Sequence, residues 1–265
     1  MAEKYPFKDM VFAVTGASRG TGLALAKYLL IRGAKVSMCA TTAANLATGL
    51  EEIEKEVPDV KGRVMTKVVD IGKLDTVQAW LKETVEVFGH LDGAANVAAV
   101  EQRKVYQMQD LDPVYFEMLL RVNVVGTWNC MREEMRYMKD GGCIINVGSI
   151  ASKYATGGTS AYIASKHALI GLTKVGAFEG AKRRIRVNIV CPGCIDTEMM
   201  SKSFESAEGE FYLTTDTIPS LTKRLAEPWE VAASIAFLMG PEGRFVNKSS
   251  WYIDGGWNEA AYTSL

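Results

Sequence analysis

Short apolar runs alternate with helical patterns along the whole chain, and no other feature restricts its fold as strongly. The strand-like runs fall at 10–15, 35–39, 63–69, 91–96, 142–148, 185–191 and 249–253. Helical periodicity covers 21–32, 43–57, 73–88, 114–138, 160–181 and 228–239. A repeated βαβ pattern implies an α/β fold: one doubly wound parallel sheet of about seven strands, helices on both faces, joined by right-handed crossovers. In such a sheet, ligands bind beyond the carboxyl ends of the strands, where the strand order reverses. The glycine loop after the first strand, Asp70, Asn96, Ser149 and Pro192 all fall at such ends. With 265 residues, 48% of them hydrophobic, the chain is expected to form one domain over 1–265.

Two local patterns carry chemistry. FAVTGASRGTGLALAKYLLIRG reads as a buried strand, Phe12 to Thr15, then a turn with Gly16, Gly20 and Gly22, then an amphipathic helix ending at Gly33. Glycine lets the backbone turn sharply and approach a pyrophosphate, while a helix N-terminus offers free N–H groups and a positive dipole end. Taken alone, the loop also fits a turn with no ligand. Tyr162 and Lys166 lie one helical turn apart, thirteen residues after the Ser149 that ends CIINVGS. Residues at i and i+4 share a helix face. An ammonium beside a phenol favours phenolate, so the pair is expected to lower the tyrosine pKa from about 10. Such a phenol exchanges a proton with an alcohol or carbonyl oxygen, and a serine at a neighbouring strand end hydrogen-bonds that oxygen.

On these residues the chain resembles the short-chain dehydrogenase/reductase family, from about Lys8 to Trp257. In pattern it is closest to members like the 3-oxoacyl-carrier-protein reductases. The resemblance implies a Rossmann-like dinucleotide-binding sheet with a catalytic set of Asn123, Ser149, Tyr162 and Lys166. It places Gly16, Ser18, Arg19, Gly20, Thr21 and Gly22 on the cofactor phosphates, and Asp70 and Ile71 at the adenine. It also places Asn96, Pro192, Gly193, Ile195 and Thr197 along the cofactor, with Tyr162 and Lys166 reaching its nicotinamide ribose. Asn123 corresponds to the position that holds a relay water, and Asp254-Gly255-Gly256 to the C-terminal D-G-G. One departure stands out. The family usually reads N-N-A-G where this chain has Asn96-Val97-Ala98-Ala99. A methyl at a φ > 0 position costs about 1 kcal/mol or more, so this loop is expected to shift slightly.

An acid at the end of the second strand would bind the ribose diol of NAD and repel a 2′-phosphate. This chain has Ala40 there, followed by Thr41 and Thr42, and Arg19 in the glycine loop. A guanidinium suits a phosphate geometrically, so NADP(H) is the expected cofactor and reduction the expected direction. Arg19 also reads as a solvated loop charge. The resemblance then implies a reductase. NADPH delivers hydride to a ketone carbonyl, Tyr162 donates the proton, Ser149 holds the oxygen, Lys166 tunes the tyrosine and Asn123 supports the relay water.

Residues 198–226 fit no regular pattern and correspond to the family's substrate lid, although a surface helix with an apolar face is the other reading. Ile150, Tyr154, Cys194, Met199, Met200 and Phe204 are the candidate substrate contacts, with Phe211 and Tyr212 further along. That bulky apolar set favours a hydrophobic or polycyclic ketone, or an acyl substrate, over a small hydroxy acid. An imine or iminium carbon, an NAD-dependent alcohol dehydrogenase, and a catalytically silent NADP(H)-binding sensor or scaffold are the alternatives.

Thirty basic residues against thirty-one acidic ones point to neither nucleic acid nor an anionic membrane. No apolar run approaches the ~20 residues of a membrane span, and MAEKYPFKDM does not read as a signal peptide. A cytoplasmic enzyme with a small-molecule substrate is therefore expected. Two histidines, His90 and His167, make no metal set. Cys191 and Cys194 spell C-x-x-C but follow a strand, unlike a redox dithiol at a helix start, so Cys194 is expected to line the site as an alkylatable thiol. By resemblance a homodimer or homotetramer is expected, pairing through 114–138 and 160–181 and through the C-terminal strand. Trp251, Trp257 and Tyr262 suit that second interface or a pocket wall.

Overall fold

The computed structural model describes residues 6–200 and 218–257. The elements run β1 (Val11–Thr15), α1 (Gly20–Ile31), β2 (Lys35–Ala40), α2 (Ala43–Glu56), β3 (Val64–Val68), α3 (Leu74–Phe88), β4 (Leu91–Asn96) and α4 (Pro113–Leu120). A π-helical stretch (Arg121–Gly126) then leads into α5 (Thr127–Tyr137), β5 (Met138–Val147), α6 (Ser160–Gly180), β6 (Arg186–Pro192), α7 (Pro228–Met239) and β7 (Ser250–Ile253). The sheet order is β3-β2-β1-β4-β5-β6-β7. Every pair of neighbours is parallel. The order reverses between β1 and β4, and the crevice of a doubly wound sheet opens there.

The central strands are buried on both sides, so they read as unbroken apolar runs rather than alternating ones. All five residues of β1 and all six of β4 are buried. Against one face pack Leu25 and Leu29 of α1, Ile53 of α2 and Ile235 of α7. Against the other pack Trp80 and Leu81 of α3, Cys130 of α5 and Ala177 of α6. Polar groups within these layers find partners in one another. Trp80 Nε1 donates to Ser37 Oγ at 2.8 Å, and Ser37 shares a further bond with Thr84 Oγ1 at 2.7 Å.

Two expectations need correction. The pattern over 114–138 is not one helix: six residues, Arg121–Gly126, take π-helical form between α4 and α5. Asn123 explains the break, since its side chain accepts from Val100 N and donates to Val100 O, both at 2.8 Å, pinning the helix to the loop after β4. Gly126 fits the same turn because a Cβ there would lie 2.7 Å from Ile71 Cγ1. Such single-turn insertions concentrate at functional sites. The fifth strand also starts at Met138, which pairs with Leu91 before a register shift, rather than at 142.

The segment expected to cover the site leaves and returns at one place. Ala226 N donates to Cys194 O and Asp196 N to Ala226 O, both at 2.9 Å. Leu221 N and Thr222 N donate to Gly256 O and Gly255 O. Phe204, Phe211, Tyr212 and Tyr262 lie outside the described residues. No helix among the described residues is long and apolar enough to cross a membrane.

Candidate active site

The strand ends assemble the site at the mouth of the reversal. Gly16, with φ +64°, follows β1 so closely that a Cβ on it would sit 2.8 Å from Ala98 Cα. Gly22 is tighter still, because a Cβ would fall 2.2 Å from Gly16 O. Arg19 caps α1 without a side-chain bond, and no acid occupies the helix's first turn. The positive end of α1 is thus left bare, with Thr21 and Ser18 beside it, which is the arrangement an anionic pyrophosphate fits. On the far side, a Cβ on Gly20 would approach Thr197 Cγ2 at 3.2 Å, so the glycine loop meets the Pro192–Thr197 segment. Arg19 Nη1 reaches Glu198 Oε2 at 2.7 Å across that junction.

β2 ends at Ala40, with exposed Thr41 next and Thr42 capping α2 by accepting from Asn45 N at 3.4 Å. A dinucleotide bound here would meet no carboxylate at this strand end. Asp70 Oδ1 accepts from Gly72 N at 2.9 Å, and Oδ2 pairs with Arg121 Nη1 at 3.4 Å. Ile71 O accepts from Asn129 Nδ2. Asn96 ends β4, and the next two amides, Val97 N and Ala98 N, both donate to Thr15 Oγ1 at 3.0 Å. Ala99 is not among the residues with positive φ, so its methyl meets no left-handed strain here. Two short side chains and one threonine hydroxyl replace the amide and glycine without a left-handed turn.

Ser149 follows β5 and caps a short 3₁₀ turn, Ile150–Ser152, accepting from Ala151 N at 3.1 Å. Tyr162 is half-buried on the first turn of α6, and its hydroxyl shares a hydrogen bond with Ser149. Burial pushes the phenol up to about 12, against the lowering effect of that bond; Glu101, Cys194 and Cys191 add to the rise. The expected lowering by lysine is therefore reversed. Lys166 Nζ lies 5.6 Å from the ring centroid and donates to Val147 O at 3.1 Å instead of to the phenol oxygen. Burial brings Lys166 down to about 8. In this state the tyrosine is a phenol held ready to give a proton, not a phenolate ready to take one.

Other placements were less legible. Asn123 Nδ2 also reaches Ser165 Oγ at 3.1 Å, and Ser165 donates to Tyr162 O at 2.7 Å. Its side chain is thus occupied by Val100 and Ser165. Gln102 was not foreseen. It donates to Gly158 O and accepts from Ala161 N, tying the loop after β4 to the start of α6. Its only sequence signal is a polar amide inside a loop. Tyr154 Oη accepts from Lys153 Nζ at 2.8 Å. Cys194 is half-exposed, and burial pushes its thiol up to about 11. Cys191 and Cys194 are both free thiols. His167 is exposed on α6, and His90 pairs with Asp92 at the opposite end of the sheet.

Comparison with known proteins agrees with this geometry. Residues 16–258 match the family described as Enoyl-(Acyl carrier protein) reductase. The chain is 38% identical over 254 residues to the short-chain dehydrogenase/reductase ABA4 of Pyricularia oryzae, covering 95% of this chain and 93% of that one. It is 30% identical to the levodione reductase of Leifsonia aquatica over 97% of this chain and 96% of the relative. The crystal structure of levodione reductase superposes with a TM-score of 0.88 at 30% identity, covering 94% and 97% of the two chains. A short-chain dehydrogenase from Burkholderia cenocepacia in complex with NADP gives 0.84 at 30% identity, over 96% and 99%. Matched over nearly its whole length by this family model and by named reductases and dehydrogenases, the chain is an oxidoreductase of the short-chain dehydrogenase/reductase family.

Proposed function

We propose that the chain is an NADPH-dependent reductase that reduces the carbonyl of an apolar ketone. The observation that carries this reading is the placement of Tyr162 beside Ser149 at the mouth of the crevice with Lys166 behind its ring, where burial favours the neutral phenol. The bound dinucleotide supplies hydride. Gly16, Gly20 and Gly22 let the backbone reach the pyrophosphate, and the N-terminus of α1 offsets its charge. Asp70 and Ile71 take the adenine side, while Asn96, Pro192, Gly193, Ile195 and Thr197 border the rest of the cofactor. Ser149 donates to the substrate oxygen and orients it toward Tyr162, whose hydroxyl proton passes to that oxygen as negative charge develops there. Lys166, charged below about 8, steadies the phenolate left behind. Asn123 acts by fixing the π-helical turn and, through Ser165, the backbone of Tyr162.

NADP(H) preference rests on Ala40 at the end of β2 and on Arg19. Arg19 would exchange Glu198 for a 2′-phosphate, with Ser18, Thr41 and Thr42 alongside. Ile150, Tyr154, Cys194, Met199 and Met200 would contact an apolar substrate, with 198–226 as its cover. Levodione reductase, named for a ketone, is a relative in keeping with this. Exposed Trp128 on α5 and Phe178 on α6, and Phe237 stacked on Trp251 at 5.3 Å, support a homo-oligomer pairing through those faces. The test is loss of NADPH absorbance across a panel of cyclic and aliphatic ketones, beside an imine panel. Turnover of ketones with NADPH over NADH is the expected result. Turnover confined to imines, or an NADH preference, would overturn it.

A further inference from the structure

The most buried acid in the described structure belongs to no part of this mechanism. Cys39, Thr15, Asn96 and Asn146 form one row across β2, β1, β4 and β5, each pairing with the next. Glu134 of α5 lies over this row, fully buried. Asn96 Nδ2 donates to Glu134 Oε2 at 3.1 Å and to Asn146 Oδ1 at 3.0 Å. Asn146 Nδ2 in turn donates to Thr173 Oγ1 at 2.9 Å and to Met131 Sδ at 3.3 Å. Two atoms are left over among the described residues: Asn96 Oδ1 and Glu134 Oε1, both buried and without a hydrogen-bond partner.

These two are acceptors on neighbouring groups already joined through their other ends. Turning the Asn96 amide around does not help, because its oxygen would then face Asn146 Oδ1 and Glu134 Oε2. One added proton removes both deficits. A carboxylic acid and a primary amide close a ring of two hydrogen bonds, N–H to C=O and O–H to C=O, and each orphaned buried acceptor otherwise costs about 1–3 kcal/mol.

We infer that Glu134 is held in the core as a neutral carboxylic acid whose Oε1–H donates to Asn96 Oδ1, and that it thereby positions the strand end bordering the cofactor crevice. Burial, opposed only by the Asn96 bond, pushes its carboxyl up to about 8. The titratable groups near it are Cys39 of β2 and Cys130 of α5, thiols that burial drives up and that a Glu134 carboxylate would drive further; Asn146 of β5 and Thr173 of α6 complete the cluster without charge. The mechanical path is short. Asn96 is followed directly by Val97 and Ala98, whose amides bond Thr15, and Ala98 lies against Gly16 of the glycine loop. Loss of the proton sets two acceptor oxygens against each other and leaves Asn96 tied to α5 by its Nδ2–Oε2 bond alone.

The effect on cofactor rests on the reading under Proposed function; the protonation does not. The folded pKa lies above the unfolded one, so the folded protein holds a proton that the unfolded chain releases between 4.5 and about 8. Stability from this group is full below that window and falls by one proton's linkage through it, becoming flat above. Glu134→Gln keeps the ring, with an amide N–H in place of the O–H, and cannot titrate. Denaturant unfolding of both proteins across the window is expected to show wild type losing ground steadily to the Gln variant. An infrared difference spectrum of the two at neutral pH is expected to show a protonated-carboxyl C=O stretch in wild type. NADPH titration is expected to show affinity falling severalfold above the window in wild type and holding in the variant. A constant stability difference with no acid C=O stretch overturns the inference. So does an affinity profile that is the same in both proteins. If neither protein binds NADPH at any pH, the cofactor reading fails while infrared and unfolding still decide the protonation.

Discussion

One polar cluster sits at the mouth of the crevice and another beneath it, and the two solve the same problem differently. Tyr162 and Ser149 are only part-buried, with Lys166 buried behind them, while Asn96, Glu134 and Asn146 are sealed between sheet and α5. In both, burial pushes an acid up, to about 12 for Tyr162 and about 8 for Glu134, so each is held in its neutral form. On the proposed function, the open cluster offers that proton to a substrate oxygen. The sealed cluster spends its proton on an internal bond. Burial alone therefore does not make a catalytic acid; an unfilled direction for the proton does.

The largest test of that distinction is Tyr162→Phe. Removing the O–H leaves the ring and its packing but no donor, and general acid catalysis is worth about 10²–10⁴ in rate. Turnover is expected to fall about a thousandfold while NADPH titration still reports binding. Retained turnover would erase the contrast between the clusters. Next comes Lys166→Met. Lys166 loses its charge above about 8, so wild-type kcat/KM for carbonyl reduction is expected to decline above that pH. In the variant, activity is expected to be about a hundredfold lower, as befits one electrostatic contributor, and to lack that limb. A limb that persists would assign it to another group.

The sealed cluster is probed by Asn146→Ala. That change strips partners from Asn96 and Thr173 at once, and unsatisfied buried groups cost about 1–3 kcal/mol. The folding equilibrium is expected to shift by about thirtyfold, read from denaturant midpoints, with no matching effect from a surface amide such as Asn45, which lies exposed on α2. A loss no larger than that of Asn45→Ala would mean that the core cluster is loosely held.

Much of this was legible in the sequence, and the gaps have a pattern. Strand runs and helix periods come from burial, which the sequence encodes directly, so seven strands in a switched order and the strand-end residues follow from them. The π-helical turn does not, because one extra residue barely disturbs the apolar period; only Asn123 and Gly126 inside a helix mark it. The rise at Tyr162 is hidden because it depends on depth, and i+4 spacing says only that Lys166 is near. In the structure that ammonium turns to Val147 O. Ala99 reads as strain only if the loop keeps a glycine's conformation, which it does not. Glu134 reads as an exposed helix charge in CMREEMRY. Its signal is positional: it stands four residues after Cys130 and four before Met138, in the stripe that α5 turns toward the sheet.

The smallest expected effect lies at the rim, outside both clusters, where charge is screened rather than sealed. Arg19 and Glu198 pair at 2.7 Å with side chains 55% and 46% exposed. Such pairs contribute about 0.2–1 kcal/mol, so exchanging Glu198 for a phosphate costs little, in contrast to any exchange in the core. Glu198→Gln removes the competitor and leaves Arg19 in place. Affinity for NADPH is then expected to rise by up to about fivefold, since about 1.4 kcal/mol is one decade. Affinity for NADH, which lacks the 2′-phosphate, is expected to stay level. Added salt is expected to shrink the gain, because exposed charges are screened over about 8 Å at physiological ionic strength. An equal gain for both nucleotides would move Arg19 off the 2′-phosphate and onto the pyrophosphate that both share. A gain for NADPH alone would show the rim choosing between cofactors by a weak, exposed contact, while the crevice below does the chemistry.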